Sequence, residues 1–181
     1  MPSIFRPAPP RSAWRNVAWT AAQSVVVWGV ALLGVPLAII ALERKAGGHP
    51  VSWLHVPVLA VAMFFACTAL NISAGFGLAV RGEGTPLPMA APRRLVLSGP
   101  YRYLRNPMAV AGIGQGLAVG LWFGSWVVLV YALAGAILWH FAIRPAEEDD
   151  LLARFGDAYA QYRSTVPLWR PRFPGYEPPP A

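Results

Sequence analysis

The longest uncharged stretch of this chain is 106–143, NPMAVAGIGQGLAVGLWFGSWVVLVYALAGAILWHFAI, which contains no Asp, Glu, Lys or Arg. A helix that crosses a bilayer needs roughly 20 apolar residues at about 1.5 Å each, so this stretch is too long for one span and suits two short ones. Trp122 and Trp126 flank a Gly-Ser pair in its middle, and tryptophan favours the membrane–water interface. The stretch therefore predicts a tight hairpin of two helices, at about 107–122 and 126–143.

Two further stretches, 16–42 and 46–80, also lack charged residues, and each fits one span, at about 17–42 and 53–79. Hydrophobic residues make up 56% of the chain and charged residues only 13%. Soluble domains usually carry about 25% charged residues, so the composition excludes an ordinary soluble protein. We expect an all-α integral membrane protein with about four transmembrane helices, of which the last two form the hairpin.

The formal net charge of +7 would suit a nucleic-acid partner in a soluble protein, but here the positions of the cations are more informative. If both termini are cytosolic, 13 of the 15 Lys and Arg residues lie on that side, and only Arg44 and Lys45 lie outside. Because cytoplasmic loops carry the excess of Lys and Arg, this orientation is favoured and no nucleic-acid partner is expected. The 14 arginines against one lysine hint at a GC-rich genome, and hence at a bacterial inner (plasma) membrane.

The spans belong to a single predicted domain, 16–170, between a disordered cytosolic tail at 1–15 and a Pro-rich tail at 171–181. A cytosolic amphipathic helix is predicted at about 145–164, after the last span. Pro145 suits a first helical position, and the acidic residues that follow it complement the helix dipole. The three histidines, His49, His55 and His140, share no ligand spacing, so no metal site is predicted.

Polar side chains gather near the cytosolic ends of the predicted spans, and polar groups inside a membrane tend to mark function. They are Asn71, Gln115, His140, Arg102, Arg105, Glu147 and Glu148. If the last two spans form a hairpin, the cationic and anionic clusters meet at one edge. Such an edge suits a zwitterionic soluble molecule that must meet a lipophilic one, with Tyr101 and Tyr103 offering flat aromatic faces.

Each of these features also has a structural explanation on its own. Acidic residues cap a first helical turn, arginines contact lipid headgroups, and tyrosines favour the interface. Gly112, Gly116, Gly120 and Gly124 recur every four residues and therefore share one helix face. Small residues at this spacing predict close packing within the hairpin.

Three segments resemble the superfamily of isoprenylcysteine carboxyl methyltransferases and phospholipid N-methyltransferases. The first consists of 82–88, GEGTPLP, together with 92–96, PRRLV. The second is 99–108, GPYRYLRNPM. The third is the pair Glu147-Glu148 followed by Leu152, Phe155-Gly156, Tyr159, Tyr162 and Val166-Pro167. The resemblance covers about residues 80–170, with the motifs in the right order around a helical hairpin.

The resemblance implies a membrane enzyme of EC class 2.1.1 that binds S-adenosylmethionine at the cytosolic side of the last spans. The acceptor would be a lipid amine or an isoprenyl-type carboxylate or thiol that arrives from the bilayer. Arg105 and Glu148 are the predicted catalytic residues, and Asn71 and Gln115 the predicted substrate contacts. The predicted cofactor-binding residues are Tyr101, Arg102, Tyr103, Asn106, Pro107, Gly112, His140, Glu147 and Glu148.

This chain departs from the family pattern at two positions. The family usually has Arg-His-Pro-x-Tyr, whereas this chain has Arg105-Asn106-Pro107-Met108-Ala109. Asparagine forms hydrogen bonds but does not titrate near neutral pH, and alanine supplies no ring. The alternative interpretation is therefore a non-catalytic membrane scaffold or assembly protein that keeps the fold. The methylated atom and the oligomeric state stay open.

Overall fold

The computed structural model describes residues 6–10 and 12–178, and within these ranges the chain is helical, with no strand. Two π-helical turns, Val30–Gly34 and Trp139–Ile143, join consecutive helices, and three short 3-10 turns lie in the connections, at Ser52–Leu54, Pro88–Ala90 and Gly99–Arg102. The six α-helices are α1 Ala13–Gly29, α2 Val35–Lys45, α3 Pro57–Val80, α4 Pro107–Phe123, α5 Trp126–Leu138 and α6 Arg144–Thr165.

Three continuous helical stretches are long and apolar enough to cross a membrane: Ala13–Lys45, Pro57–Val80 and Trp126–Thr165. The fourth apolar helix, α4, has 17 residues. Many large apolar side chains on these helices are exposed, among them Val25, Val58 and Ile137, as expected where lipid is the solvent. The predicted all-α integral membrane fold is confirmed, and four crossings stay a prediction.

Each π-helical turn ends two residues before a proline, Pro36 or Pro145. Proline lacks an N–H and its ring collides with the carbonyl four residues earlier, so an unbroken α-helix cannot continue through it. The wider turn absorbs this conflict, and the helix runs on. The sequence analysis treated Pro145 as the start of a separate helix; instead α5 passes directly into α6. The bend in α6 comes later, at Gly156, whose φ is +52°.

The helix α4 lies at the centre of the bundle and packs against α3 and α5. At its start, the Asn106 side chain accepts a hydrogen bond from the Ala109 N–H at 3.0 Å, which caps the helix. At its end, Gly124 adopts the left-handed conformation with a φ of +61°, and Ser125 caps α5 by accepting from Val128 N–H. We call the end of the bundle at Gly124 and Ser125 the turn end, and the opposite end, from which α6 extends, the α6 end.

The regularly spaced glycines of α4 have different neighbours. A Cβ on Gly120 would lie 2.6 Å from Leu129 Cδ2, and one on Gly116 would lie 3.0 Å from the Ala132 Cβ, so these two do bring α4 close to α5. Gly112 instead admits the ring of Trp28 from α1, and Gly124 forms the turn. Packing within the hairpin therefore accounts for only part of the repeat.

The segments at both chain ends contact the bundle. Backbone hydrogen bonds join residues 6–8 to residues 88–91, so the disorder expected for 1–15 does not hold there, and α1 already begins at Ala13. Near the other end, Tyr176 is buried with Tyr159, Tyr162 and Val166. Backbone hydrogen bonds hold the first segment and burial of an aromatic side chain holds the second. A proline-rich composition alone does not predict either contact. Residues 1–5, 11 and 179–181 of the two predicted tails lie outside the described residues.

Candidate active site

Arg144, the first residue of α6, is the centre of a buried charged network at the α6 end. Its side chain is only 4% exposed. The guanidinium contacts Glu147 Oε2 at 3.2 Å, donates from Nε to Glu148 Oε1 at 2.8 Å, and donates from Nη2 to the Tyr159 hydroxyl at 3.1 Å. The spacing of three and four residues on one helix turn brings both carboxylates to the same cation. A buried charge needs this degree of pairing.

Glu148 is bound by three arginines. Besides Arg144, Arg105 donates from Nη1 to Oε1 at 2.9 Å, and Arg163 lies 3.1 Å from Oε2. The Glu148 side chain is 10% exposed. Its lone pairs are therefore engaged, and it links the start of α4 to both parts of α6. It contacts the other predicted catalytic residue, Arg105, and the catalytic role of both stays a prediction.

Glu147 is less enclosed than its neighbour, with a side chain that is 29% exposed. Its Oε2 accepts from Arg144 and, at 3.4 Å, from the Asn106 Nδ2. Asn106 therefore has two roles: its oxygen caps α4 and its amide nitrogen faces the carboxylate.

Tyr162 holds the 3-10 turn Gly99–Arg102 in place, next to the two predicted aromatic site residues, Tyr101 and Tyr103. Its hydroxyl donates to the backbone carbonyl of Tyr101 at 2.7 Å and lies 3.3 Å from that of Leu104. Burial, and after it the negative charge of Glu147, raise the pKa of the Tyr101 phenol well above its ordinary value. The phenol is therefore neutral at physiological pH and can act only as a neutral hydrogen-bonding group.

A cavity of about 620 Å³ opens beside this network and extends between the helices. At the α6 end its lining is polar and includes Arg105, Asn106, Glu147, Asp150 and Arg154. Further toward the turn end the lining is apolar, with Trp28, Leu32, Ile113, Ala132 and Gly135 among its residues. One space thus offers charged groups at one end and a hydrocarbon-like environment at the other.

The rim of the cavity carries exposed apolar side chains on both sides of the gap between α1 and α5. Val27 of α1 is 42% exposed and Leu138 of α5 is 63% exposed, and both line the cavity. On a membrane helix such side chains face lipid. The cavity can therefore receive a molecule from the bilayer as well as one from the polar end.

Five predicted site residues line the cavity: Tyr101, Arg105, Asn106, Gly112 and Glu147. The wall at Gly112 is shared with Trp28, whose ring covers the glycine. The remaining predicted residues lie elsewhere, namely Arg102, Tyr103, Pro107, His140, Glu148, Asn71 and Gln115. Pro107 occupies the first turn of α4, where its missing N–H is harmless.

Arg102, Tyr103 and His140 hold the segment that follows α6. Arg102 pairs with Glu177 at 2.7 Å, and the Tyr103 ring contacts the Phe173 ring with centroids 5.4 Å apart. The indole of Trp169 donates to His140 Nδ1 at 3.3 Å. None of these three residues lines the cavity, so the structure does not bring them together with Glu147 there.

Asn71 and Gln115 form a separate polar cluster between α3 and α4. Asn71 Nδ2 donates to Gln115 Oε1 at 3.4 Å, and Gln115 Nε2 donates to the Thr68 hydroxyl at 2.8 Å. Both residues are buried. Interhelical hydrogen bonds of this kind hold membrane helices together, and neither residue lines the cavity. The contacts indicate a packing role, and the substrate role stays a prediction.

Sequence reasoning missed several residues of the site. The sequence analysis does not single out Arg144, although its spacing to Glu147 and Glu148 could have indicated an ion-pair cluster. Trp28 carries no such signal, because the approach of α1 to Gly112 is a tertiary contact. Tyr159 is named only as part of the family motif, yet its hydroxyl accepts a hydrogen bond from the buried Arg144. Among residues 6–10 and 12–178, no three His, Cys, Asp or Glu side chains are arranged to hold a metal ion.

A family model described as phospholipid methyltransferase matches residues 56–158, more than half of the chain. The chain therefore belongs to the phospholipid methyltransferase family, as the resemblance of the motifs predicted. The matched region contains Arg105, Asn106, Arg144, Glu147 and Glu148, whereas α1 and α2 lie outside it.

One relative is the protein-S-isoprenylcysteine O-methyltransferase of Schizosaccharomyces pombe. The two sequences are 36% identical over 83 residues, which is 44% of this chain and 34% of the relative. The similarity thus spans about a third of the relative's length. Both comparisons agree on a membrane methyltransferase, and they differ in the acceptor that their names give.

Proposed function

We propose that this protein transfers a methyl group from S-adenosylmethionine to a lipophilic acceptor at the cytosolic face of a membrane. The observation that carries the proposal is the single cavity with Arg105 and Glu147 at one end and an apolar lining at the other. A polar cofactor and a lipophilic acceptor can then meet without either leaving its preferred environment. Family membership supports the reaction class.

The residues at the polar end fit the amino-acid part of S-adenosylmethionine. The Glu147 carboxylate borders the cavity and can accept from an ammonium group. Arg105 Nε is buried without a hydrogen-bond partner, which leaves a donor for a carboxylate. Tyr101 and Asn106 complete this end. When bound, the cofactor supplies an electrophilic methyl group on a sulfonium.

The task of the protein is then to align the acceptor and exclude water, more than to transfer protons. Asn106 cannot titrate, and Glu148 is engaged by three arginines. An acceptor that is already a carboxylate or thiolate attacks without a base, whereas an amine must first lose its proton. We propose a lipid amine or an isoprenyl-type carboxylate or thiol as the acceptor.

We further propose that the α6 end faces the cytosol of a bacterium, in its inner membrane, with both chain termini on that side. The support is the distribution of cations, since the connection 81–106 and α6 carry most of the arginines. This orientation gives the polar end of the cavity access to a soluble cofactor.

A second candidate is a scaffold protein that keeps the methyltransferase fold without activity. The observation that favours it is the use of Asn106 for capping α4 and contacting Glu147, where the family pattern has histidine. Ala109 likewise supplies no ring at the next motif position. This candidate predicts an intact fold that does not bind the cofactor.

The deciding experiment is a calorimetric titration of S-adenosylmethionine into protein held in nanodiscs, which requires no knowledge of the acceptor. The enzyme hypothesis predicts saturable binding in the micromolar range, about −8 kcal/mol. Glu147→Gln should weaken this binding at least about tenfold, since a charged hydrogen bond contributes roughly 1.5–3 kcal/mol.

The matched control is Asp149→Asn, which removes the same charge from an exposed residue two positions along, outside the cavity lining. It should leave the affinity unchanged. Absence of heat at several temperatures, with a second binding method agreeing, would favour the scaffold. Equal affinity in Glu147→Gln and in the unaltered protein would remove Glu147 from the cofactor site.

A further inference from the structure

We infer that the deep end of the cavity sets the maximum length of the hydrocarbon chain that the methyl acceptor can carry. This deep end, which we call the floor, is formed by Leu32, Gly116, Tyr131 and Ala132. The inference rests on the proposed function, because it assigns the apolar part of the cavity to the acceptor. It adds a property of the substrate that the comparisons with other proteins do not supply.

The floor is the place where three helical stretches converge. Leu32 lies on the π-helical turn after α1, Gly116 on α4, and Ala132 on α5. A Cβ on Gly116 would lie 3.0 Å from the Ala132 Cβ and 3.8 Å from Leu32 Cδ2. No residue of α4 nearer the turn end than Gly116 lines the cavity.

Beyond the floor the bundle is filled with side chains. Ile40, Val119 and Val128 form a buried apolar cluster there, with Phe64 and Phe123 packed against it. Val128 has no exposed surface. Interiors packed to this degree leave no space for additional methylene groups, so a chain in the cavity cannot extend toward the turn end.

A hydrogen bond closes the side of the cavity at the level of the floor. The Tyr131 hydroxyl of α5 donates to the backbone carbonyl of Ala31 at 3.1 Å. The exposed rim residues, Val27 and Leu138, lie nearer the α6 end than this bond, because Val27 precedes Ala31 and Leu138 follows Tyr131. A chain that enters between α1 and α5 and runs toward the turn end therefore meets this bond and the floor at the same level.

The length of α4 indicates how long such a chain can be. Gly116 lies ten residues after Asn106, and ten helical residues rise by about 15 Å. The hydrocarbon core of a bilayer is about 30 Å thick, so the part of the cavity that runs beside α4 is about as deep as one leaflet. Since the polar end is assigned to the cofactor, the acceptor chain must be shorter than a leaflet-long acyl chain. The geometry points to a compact lipophile with a short or branched hydrocarbon chain.

Gly135 allows this inference to be tested without disturbing the fold. It lines the cavity between the rim and the floor, and a Cβ there would meet no atom within 4 Å. The open space at the Cβ position leaves room for a larger side chain to begin, so we expect Gly135→Leu to keep the fold and to shorten the cavity. Gly29→Leu is the matched control, because a Cβ on Gly29 also meets no atom within 4 Å, but that residue does not line the cavity. Leu32→Ala should have the opposite effect and deepen the floor.

The experiment is native mass spectrometry of the full chain with a series of saturated n-alkylamines, from hexylamine to octadecylamine. The unaltered protein should retain one amine up to a maximum chain length and lose longer ones. In Gly135→Leu, retention of the longest bound amine should fall at least about tenfold, whereas Gly29→Leu should match the unaltered protein. Leu32→Ala should retain longer amines.

The inference is overturned if the unaltered protein retains no amine or retains all chain lengths equally. It is also overturned if Gly135→Leu retains amines up to the same maximum chain length as the unaltered protein. Methyl transfer from labelled S-adenosylmethionine to N-acetyl-S-prenylcysteines and to phosphatidylethanolamines is measured separately. A length limit that moves with the variants, without any transfer, would leave the floor intact and reject the proposed function. Methyl transfer at the same rate to acceptors of every chain length would support the proposed function and reject the length limit set by the floor.

Discussion

The α6 end and the turn end of the same helices are held together in different ways. At the α6 end, Arg144 joins α6 to itself through Glu147 and Glu148, and Glu148 extends the network to Arg105 at the start of α4. At the turn end, glycines such as Gly120 let α4 and α5 touch, and apolar side chains fill the remaining space.

The difference follows from what each end has to contain. Apolar packing stabilises helices only when they touch, so it closes the space between them. Charged side chains are long and directional, and they can connect helices that stay apart. The cavity is therefore found where ion pairs hold the structure, and it ends where small residues replace them.

The largest expected effect concerns the charged network. Arg144→Met keeps a long apolar side chain but leaves Glu147 and Glu148 without their shared partner, which should destabilise the protein by roughly 3–5 kcal/mol. The loss of stability is measured by thermal unfolding in detergent, with size-exclusion chromatography to monitor the folded fraction. Arg163→Met is the control, because Arg163 is 45% exposed and also pairs with Glu148. It should cost about 1 kcal/mol or less. Equal losses would mean that burial of Arg144 is unimportant.

A second prediction compares glycines in the packed and open regions. Gly120→Ala places a Cβ 2.6 Å from Leu129 Cδ2 and should destabilise the protein by roughly 1–3 kcal/mol. Gly135→Ala meets open space and should be neutral or stabilise the helix by up to about 1 kcal/mol. The two melting temperatures provide the comparison. A stable Gly120→Ala protein would show that the turn end is not tightly packed.

A third prediction separates helix packing from substrate binding at Gln115. Gln115→Met removes the hydrogen bonds to Asn71 and Thr68, and such bonds contribute about 0.6 kcal/mol each within membranes. Stability should fall by about 1 kcal/mol. In a methyl-transfer assay the KM for the acceptor should not change, because Gln115 lies outside the cavity lining. A tenfold rise in KM would restore the predicted substrate contact.

The smallest expected effect concerns the bond that closes the cavity. Tyr131→Phe keeps the ring and removes the hydroxyl that donates to Ala31, at a cost of about 0.6 kcal/mol. The melting temperature should hardly move, whereas exchange of the Ala31 and Leu32 amides with deuterium should become faster. Unchanged exchange would mean that packing alone joins α5 to the π-helical turn.

The sequence predicts the helices well because their signal is local. Stretches without charge locate α1 to α5, and the motif Gly-Pro-Tyr-Arg-Tyr-Leu-Arg-Asn-Pro correctly indicates the methyltransferase family. Glu147 and Arg105 also belong to these motifs, and both line the cavity, while their roles stay predictions. The continuity of α5 and α6 was not predicted, because proline usually marks a helix start and the π-helical turn removes that restriction.

The sequence by itself determined that this is a helical membrane protein and a methyltransferase relative, because hydropathy and short motifs are properties of neighbouring residues. Only the tertiary structure decided which polar residues share a cavity. Glu147 and Glu148 are adjacent in the chain, yet one borders the cavity and the other is enclosed by arginines from three places. Successive helical residues point in directions about 100° apart, so the partners of each side chain depend on which helices pack beside it.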